Sequence, residues 1–327
     1  MEFHVKVLFA TFALTVVLSF IIIPILKKLK VGQMERDDGP KSHLKKQGTP
    51  TMGGIIIAIS MITICIWLYF YCGKQMHDLE TAKNILPLLI VAVGFGLIGF
   101  IDDFKKLVLK NTKGLSPKSK MIGLLIIAVI YTLYLINVLN IGTEIYIPFI
   151  KISLNLPIFI YIPFAIFVML GTTNAINLTD GIDGLSSSVT TIILTCLTVI
   201  AILFNISEVT LFGSALSGAC LGFLLFNLYP SKVMMGDTGS LMLGGAVAAI
   251  ALYLKMPLIL IIIAIIPIAE TLSVMIQVMH FKRTGKRVFK MAPLHHHFEL
   301  SGWNENKIVS IFSMLTLIAC LIGVFAI

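Results

Sequence analysis

Apolar runs about as long as a lipid bilayer is thick recur along nearly the whole chain, and nothing else in the sequence limits the fold so strongly. A membrane-spanning helix needs about 20 consecutive apolar residues. Ten such segments can be marked, at roughly 5–27, 52–72, 85–104, 119–139, 157–174, 187–205, 209–228, 240–254, 257–280 and 307–326. The composition agrees, with 57% hydrophobic and 13% charged residues, against about 45–50% and 25% in soluble domains. A soluble enzyme, a disordered protein and a peripheral protein with one anchor are excluded. The expected fold is an all-α polytopic membrane protein, with residues 1–327 as a single integral-membrane domain and ten transmembrane helices.

Local details refine this expectation. The run Val7–Leu26 follows Lys6 and precedes Lys27, Lys28 and Lys30, with no small-residue cleavage site. It reads as the first span rather than a signal peptide. The eighth segment is short, and the ninth contains Pro267 and Glu270, which predicts a kinked or broken helix. The stretch 142–156 alternates residue types and contains Pro148, which predicts a small extracytoplasmic hairpin. No internal repeat is evident, which weighs against many transporter folds. The five cysteines show no CxxC spacing and lie in or beside apolar runs, so they read as small buried hydrophobes.

The formal net charge of +9 reports topology rather than nucleic-acid binding. Ten spans place both termini on one side. The loops after the odd-numbered segments hold 20 of the 25 Lys and Arg residues, and the other side holds Lys6, Lys74, Lys83, Lys151 and Lys255. Short cytoplasmic loops collect Lys and Arg, so the odd-numbered loops are expected in the cytoplasm and both termini outside.

The polar motifs fall on that cytoplasmic face. Asp102 and Asp103 end the third segment, where carboxylates oppose the helix dipole and need a cation, from Lys105 and Lys106 or from a metal. Asn174, Asn177, Asp180 and Asp183 cluster after the fifth segment, with Gly181 and Gly184 allowing close backbone approach to an anion. In Gly236-Asp237-Thr238-Gly239-Ser240 a helix start can bind phosphate oxygens while Asp237 holds a hard cation. The alternative readings are interfacial punctuation, a polar turn and a plain N-cap. His295, His296 and His297 make a poor zinc site, because neighbouring side chains diverge. They read either as a solvated loop or as imidazoles donating to phosphate. Aspartates, lysines, asparagines, glycine-rich turns and histidines without a Ser-His-Asp order suit Mg²⁺-dependent phosphoryl chemistry. At a membrane face, that chemistry implies one water-soluble phosphorylated substrate and one lipid substrate.

These motifs carry a resemblance over the whole length. GTPTMGG at 48–54, Asp-Asp-x-x-Lys at 102–106, NAINLTDGIDGL at 174–185, GDTGS at 236–240 and MAPLHHHFELSGW at 291–303 resemble the bacterial phospho-N-acetylmuramoyl-pentapeptide transferase family. This family lies within the polyprenyl-phosphate N-acetylhexosamine-1-phosphate transferase superfamily. The resemblance implies transfer of phospho-MurNAc-pentapeptide from UDP to undecaprenyl phosphate, giving lipid I and UMP, with Mg²⁺, at the cytoplasmic face of the bacterial cytoplasmic membrane. It implies that Asp237 ligates the metal, that Asp102 and Asp103 lie at the reaction centre, and that His295 and His296, with His297 beside them, face the diphosphate. It further implies that Lys46 contacts the nucleoside, that Gly181, Ile182 and Asp183 contact uracil, and that Asn177, Asp180 and Asn227 are polar active-site positions. Met234 stands where the family often has an aromatic residue that stacks on uracil, so nucleoside affinity is expected to be lower or to draw on another aromatic. A homodimer is expected by analogy. The lipid tail is expected in a groove near the kinked ninth segment.

Two reaction courses remain open: direct in-line attack, with Asp102 or Asp103 assisting the acceptor phosphate, and a covalent phosphoryl-aspartate. The rival functions are a related UDP-GlcNAc-using GlcNAc-1-phosphate transferase and, from another class, a lipid-phosphate transporter or flippase. Transport fits less well, because the charged residues cluster on one face and only Glu270 lies well inside a helix.

Overall fold

The structure is a computed structural model and describes residues 2–29, 48–107, 109 and 114–327. Each of the ten apolar segments forms a helix or a broken helix. They are α1 (Phe3–Lys28), α2 (Gly54–Lys74), α3 (Leu79–Leu107), α4 (Pro117–Asn137), α5 (Ile158–Thr179), α6 (Leu185–Leu203), α7 (Ser207–Asn227), α8 (Gly236–Tyr253), the bent pair α9 (Leu260–Ile263) and α10 (Ile265–Thr284), and α12 (Glu305–Phe325). A short helix, α11 (Leu294–Glu299), carries the histidines. Strands β1 (Glu144–Ile147) and β2 (Ile152–Asn155) pair antiparallel in the expected hairpin, with Ile147 opposite Ile152.

Among the described residues, eight helices are long and apolar enough to cross a membrane, or nine if the bent pair is one span. The chain is therefore a multi-pass membrane protein. α8 is the segment that falls short, because its 18 residues begin with Gly236, Asp237 and Thr238. It is also the centre of the bundle. Every residue from Thr238 to Tyr253 is buried, and α3, α5, α2 and α6 pack around it. A helix apolar on all sides belongs inside other helices, and this one starts with its polar turn held among them.

Local chemistry sets the ends. Ser116 caps α4 by accepting the N–H of Ser119 at 3.1 Å, with Pro117 in the first turn. Asn304 caps α12 by accepting from Lys307 N–H at 2.8 Å. Gly285 closes α10 at φ +68°, the left-handed region that glycine enters without strain. The ninth segment breaks at Ala264 with an 81° bend. Pro267 lies three residues on and lacks the N–H that would bond the carbonyl of Ile263, so the helix cannot run through.

Candidate active site

The first turn of α8 carries N–H groups without partners inside the helix, and carboxylates from other elements supply them. Asp103, near the end of α3, accepts Thr238 N–H at 2.9 Å, the Thr238 hydroxyl at 2.7 Å and Asp237 N–H at 3.3 Å. Asp180, just past α5, accepts the N–H of Gly236. The 48–54 run docks beside them: Met234 N–H donates to Pro50 O at 2.8 Å, Gly53 N–H to Met234 O at 2.9 Å and Gly54 N–H to Met235 O at 2.9 Å. Glycine is needed at these crossings. A methyl group on Gly54 would overlap the backbone of Gly239, and one on Gly99 of α3 would overlap the carbonyl of Asp237.

Held in this way, Asp237 meets two lysines. Its carboxylate accepts from Lys120 Nζ at 2.9 Å, from Lys106 Nζ at 3.2 Å and from Asn177 Nδ2 at 2.9 Å. Lys106 also reaches Asp102 at 2.7 Å, and Lys120 lies 3.7 Å from the same carboxylate. Asp102 accepts the N–H of Leu115 at 2.6 Å as well. Asp102 and Asp103 are buried, whereas the side chain of Asp237 is 20% exposed. Four carboxylates therefore gather here, and two of them, Asp102 and Asp237, share the two ammonium groups. The shortage of positive charge shows at Asp180, where burial, together with the charges of Asp237 and Asp103, pushes the carboxyl up to about 8. An all-oxygen donor set with unbalanced negative charge fits a hard divalent cation. Among the described residues, no three His, Cys, Asp or Glu side chains form a ready-made metal cage. Mg²⁺ commonly binds through one or two carboxylates plus substrate phosphates.

The remaining expected residues fall in three places. Asp183 is buried beside this cluster; its carboxylate accepts Ser231 N–H at 3.0 Å and its own N–H donates to Glu305 at 3.1 Å. Gly181 and the buried Ile182 complete that turn. Asn227 is buried, accepts the Ser187 hydroxyl and donates to Val233 O at 2.9 Å, so its amide pins the loop before α8. Met234 is buried, and its thioether accepts the Ser231 hydroxyl at 3.4 Å. The histidines diverge. His295 is fully buried on Glu270, His296 Nδ1 meets Glu299 at 2.8 Å, and His297 Nδ1 accepts Lys290 N–H at 3.1 Å. Lys46 lies outside the described residues. Sequence reasoning passed over Lys120, Ser231, Glu270 as a partner of His295, and Glu305. Lys120 had a faint signal as a cation in the first turn of α4, and the others are legible only once the chain is folded.

A cleft of about 520 Å³ runs between α5 and the bent α9–α10 pair, lined by Phe167, Gly171, Asn174, Pro267, Thr271 and Met275 among others. It is almost wholly apolar.

Acids and lysines gather at one buried helix start of a multi-pass bundle, and residues 85–255 match the family described as Glycosyl transferase family 4, which makes the chain a membrane-embedded transferase. Residues 46–57 match signature 1 of the phospho-N-acetylmuramoyl-pentapeptide-transferases. The chain is 50% identical over 325 residues to the protein of that name from Acetivibrio thermocellus, covering 99% of this chain and 95% of the relative. Its likeness to the one from Clostridium botulinum is 52% over 316 residues, covering 96% and 94%. To the one from Halalkalibacterium halodurans it is 47% over 318 residues, covering 97% and 95%. The chain belongs to the phospho-N-acetylmuramoyl-pentapeptide-transferase family.

Proposed function

We infer that the chain transfers phospho-MurNAc-pentapeptide from UDP-MurNAc-pentapeptide to undecaprenyl phosphate, giving lipid I and UMP, the first membrane step of peptidoglycan synthesis. The observation that carries this reading is the convergence of Asp102, Asp103, Asp180 and Asp237 with Lys106 and Lys120 at the start of α8, in a chain of this family. An oxygen of the lipid phosphate attacks the sugar-linked phosphorus; the bond from that phosphorus to the bridging oxygen breaks, and UMP leaves with the oxygen. Asp237 would hold Mg²⁺, which when bound would supply positive charge against the diphosphate. Lys106 and Lys120 offset negative charge on the transferring group. Asn177 orients Asp237 from its second oxygen. Asp103 acts as the cap that fixes Asp237 in place. Asp180, whose carboxyl is pushed up to about 8, can hold or release a proton near neutral pH.

The direct course is supported by the state of the aspartate pair. Both oxygens of Asp103 accept hydrogen bonds, and Asp102 is tied to Lys106 and Leu115, which lowers the nucleophilicity of both carboxylates. UMP released in stoichiometric amount without lipid acceptor, together with a trapped acyl phosphate, would overturn it.

The site lies at the cytoplasmic face, and counting α8 as a crossing beside the eight long helices and the bent pair makes ten, so both termini are extracytoplasmic. The charge asymmetry of the loops supports this. The apolar cleft beside Pro267 holds the polyprenyl chain. The test is conversion of UDP-MurNAc-pentapeptide by the purified chain in detergent, compared with UDP-GlcNAc as donor. Product from the first donor is expected. Product from UDP-GlcNAc alone would favour the sibling transferase, and no product from either would contradict the reading.

A further inference from the structure

Glu270 lies in the second turn of α10, fully buried inside an apolar segment. A carboxylate there is costly unless it is hydrogen-bonded. Its partner is His295. The backbone N–H of His295, in the first turn of α11, donates to the carboxylate at 3.2 and 3.4 Å, and the ring Nδ1 lies 3.1 Å from Oε1. The opposite ring nitrogen, Nε2, is buried without a hydrogen-bond partner. It packs against Gly181, where an added methyl group would overlap it. A buried N–H left unpaired is rarer than an acceptor left unpaired. The arrangement therefore suits a neutral ring with its proton on Nδ1, given to Glu270, and a bare lone pair on Nε2.

We propose that Glu270 is a positioning residue of the transferase: it locks His295 as the Nδ1–H tautomer, and the ring then forms the floor on which the Asp180–Asp183 turn rests. His295 is accordingly a support beneath the turn and makes no contact of its own with the diphosphate. The turn it carries frames the start of α8 from two sides. Asp180 takes the N–H of Gly236, and Asp183 takes that of Ser231. A tilt of the ring shifts both. The inference rests on the proposed function in that it takes this turn as the segment that grips the nucleotide.

Two readouts on the full-length chain in detergent test it. The first does not involve turnover. With ¹⁵N-labelled histidine, and His295→Asn used to assign the signals, His295 is expected to show a protonated Nδ1 and an unprotonated Nε2. An imidazolium or an Nε2–H tautomer would overturn the proposal.

The second is kinetic. Glu270→Ala should raise KM for the UDP-sugar about tenfold, the effect of one lost buried partner, while kcat and KM for the lipid stay within about threefold. Glu270→Gln, whose amide oxygen can still accept both N–H groups, should bring KM back near the starting value. His295→Asn, which restores an N–H at the Nδ1 position, should keep a lower KM than His295→Gln, which restores one at Nε2. An unchanged KM in Glu270→Ala, or equal losses in the two His295 variants, would overturn it. Should Glu270→Ala fold poorly, Glu270→Gln and the two His295 variants still decide. Failure of the unaltered chain to turn over the UDP-sugar would count against the proposed function instead, and the tautomer measurement would stand by itself.

Discussion

At the scale of single residues, one site contains four aspartates with four different surroundings. Asp237 has a partly exposed side chain paired with two lysines and an amide. Asp237→Asn keeps the shape but removes the charge, so turnover should fall at least about 100-fold with thermal stability nearly unchanged. Near-normal turnover would remove the metal-holding role proposed for it. Asp103 caps a helix that is not its own. Asp103→Ala leaves two α8 N–H groups unpaired and should cost about 2 kcal/mol of stability or more. A melting temperature in detergent equal to that of the unaltered chain would contradict the capping role. Asp180 makes a pH-dependent prediction. Its folded-state carboxyl is raised from 3.8 to about 8, so between those values the folded chain holds a proton that the unfolded chain gives up. This group's contribution to stability therefore falls as pH rises through that window. Asp180→Asn should be relatively more stable than the parent at pH 8 than at pH 5, and less active. A melting-temperature difference that does not change with pH would contradict the assignment.

At the scale of elements, the helices were legible because bilayer-length apolar runs leave little choice, and their ends shifted only by a few residues. The third segment, marked at 85–104, runs from Leu79 to Leu107. Its polar ends stay helical because they lie outside the apolar stretch that hydropathy detects. The hairpin fell where Pro148 and alternation put it. The broken ninth segment was also foreseen, although the break sits at Ala264 rather than at Pro267 itself, because proline's missing bond belongs to the turn before it. What could not be read was tertiary pairing. Asp183 with Glu305, and His295 with Glu270, join residues 122 and 25 positions apart, and no local periodicity encodes such distances. Gly54 of the GTPTMGG run and Gly99 of α3 are close-packing contacts against α8, which no local pattern announces. Gly99→Ala should push α3 from α8, lowering stability by about 1–3 kcal/mol and lowering turnover with it. Full activity at normal stability would show that the two helices do not need this approach.

At the scale of the whole molecule, the site lies at one end of a bundle whose core helix begins with charge and continues apolar. That arrangement suits the proposed chemistry between a soluble nucleotide and a lipid phosphate, because the first turn of α8 carries the acids and the cleft beside α10 is lined almost wholly by apolar groups. The proposed orientation can be checked with single added cysteines, since all five native cysteines are buried. A cysteine at Gly285 should react with a membrane-impermeant thiol reagent only after cells are opened, and one at Gly142 should react in intact cells. The reverse pattern would invert the topology.

The most direct measurement is formation of lipid-linked product from UDP-MurNAc-pentapeptide and undecaprenyl phosphate by the purified chain, with Mg²⁺ and with a chelator, beside Asp237→Asn. Equal amounts of lipid I and UMP are expected with Mg²⁺, and neither with the chelator or the variant. Product formed equally well by Asp237→Asn, or none formed by the unaltered chain with Mg²⁺, would contradict the assignment of the α8 start as the reaction centre.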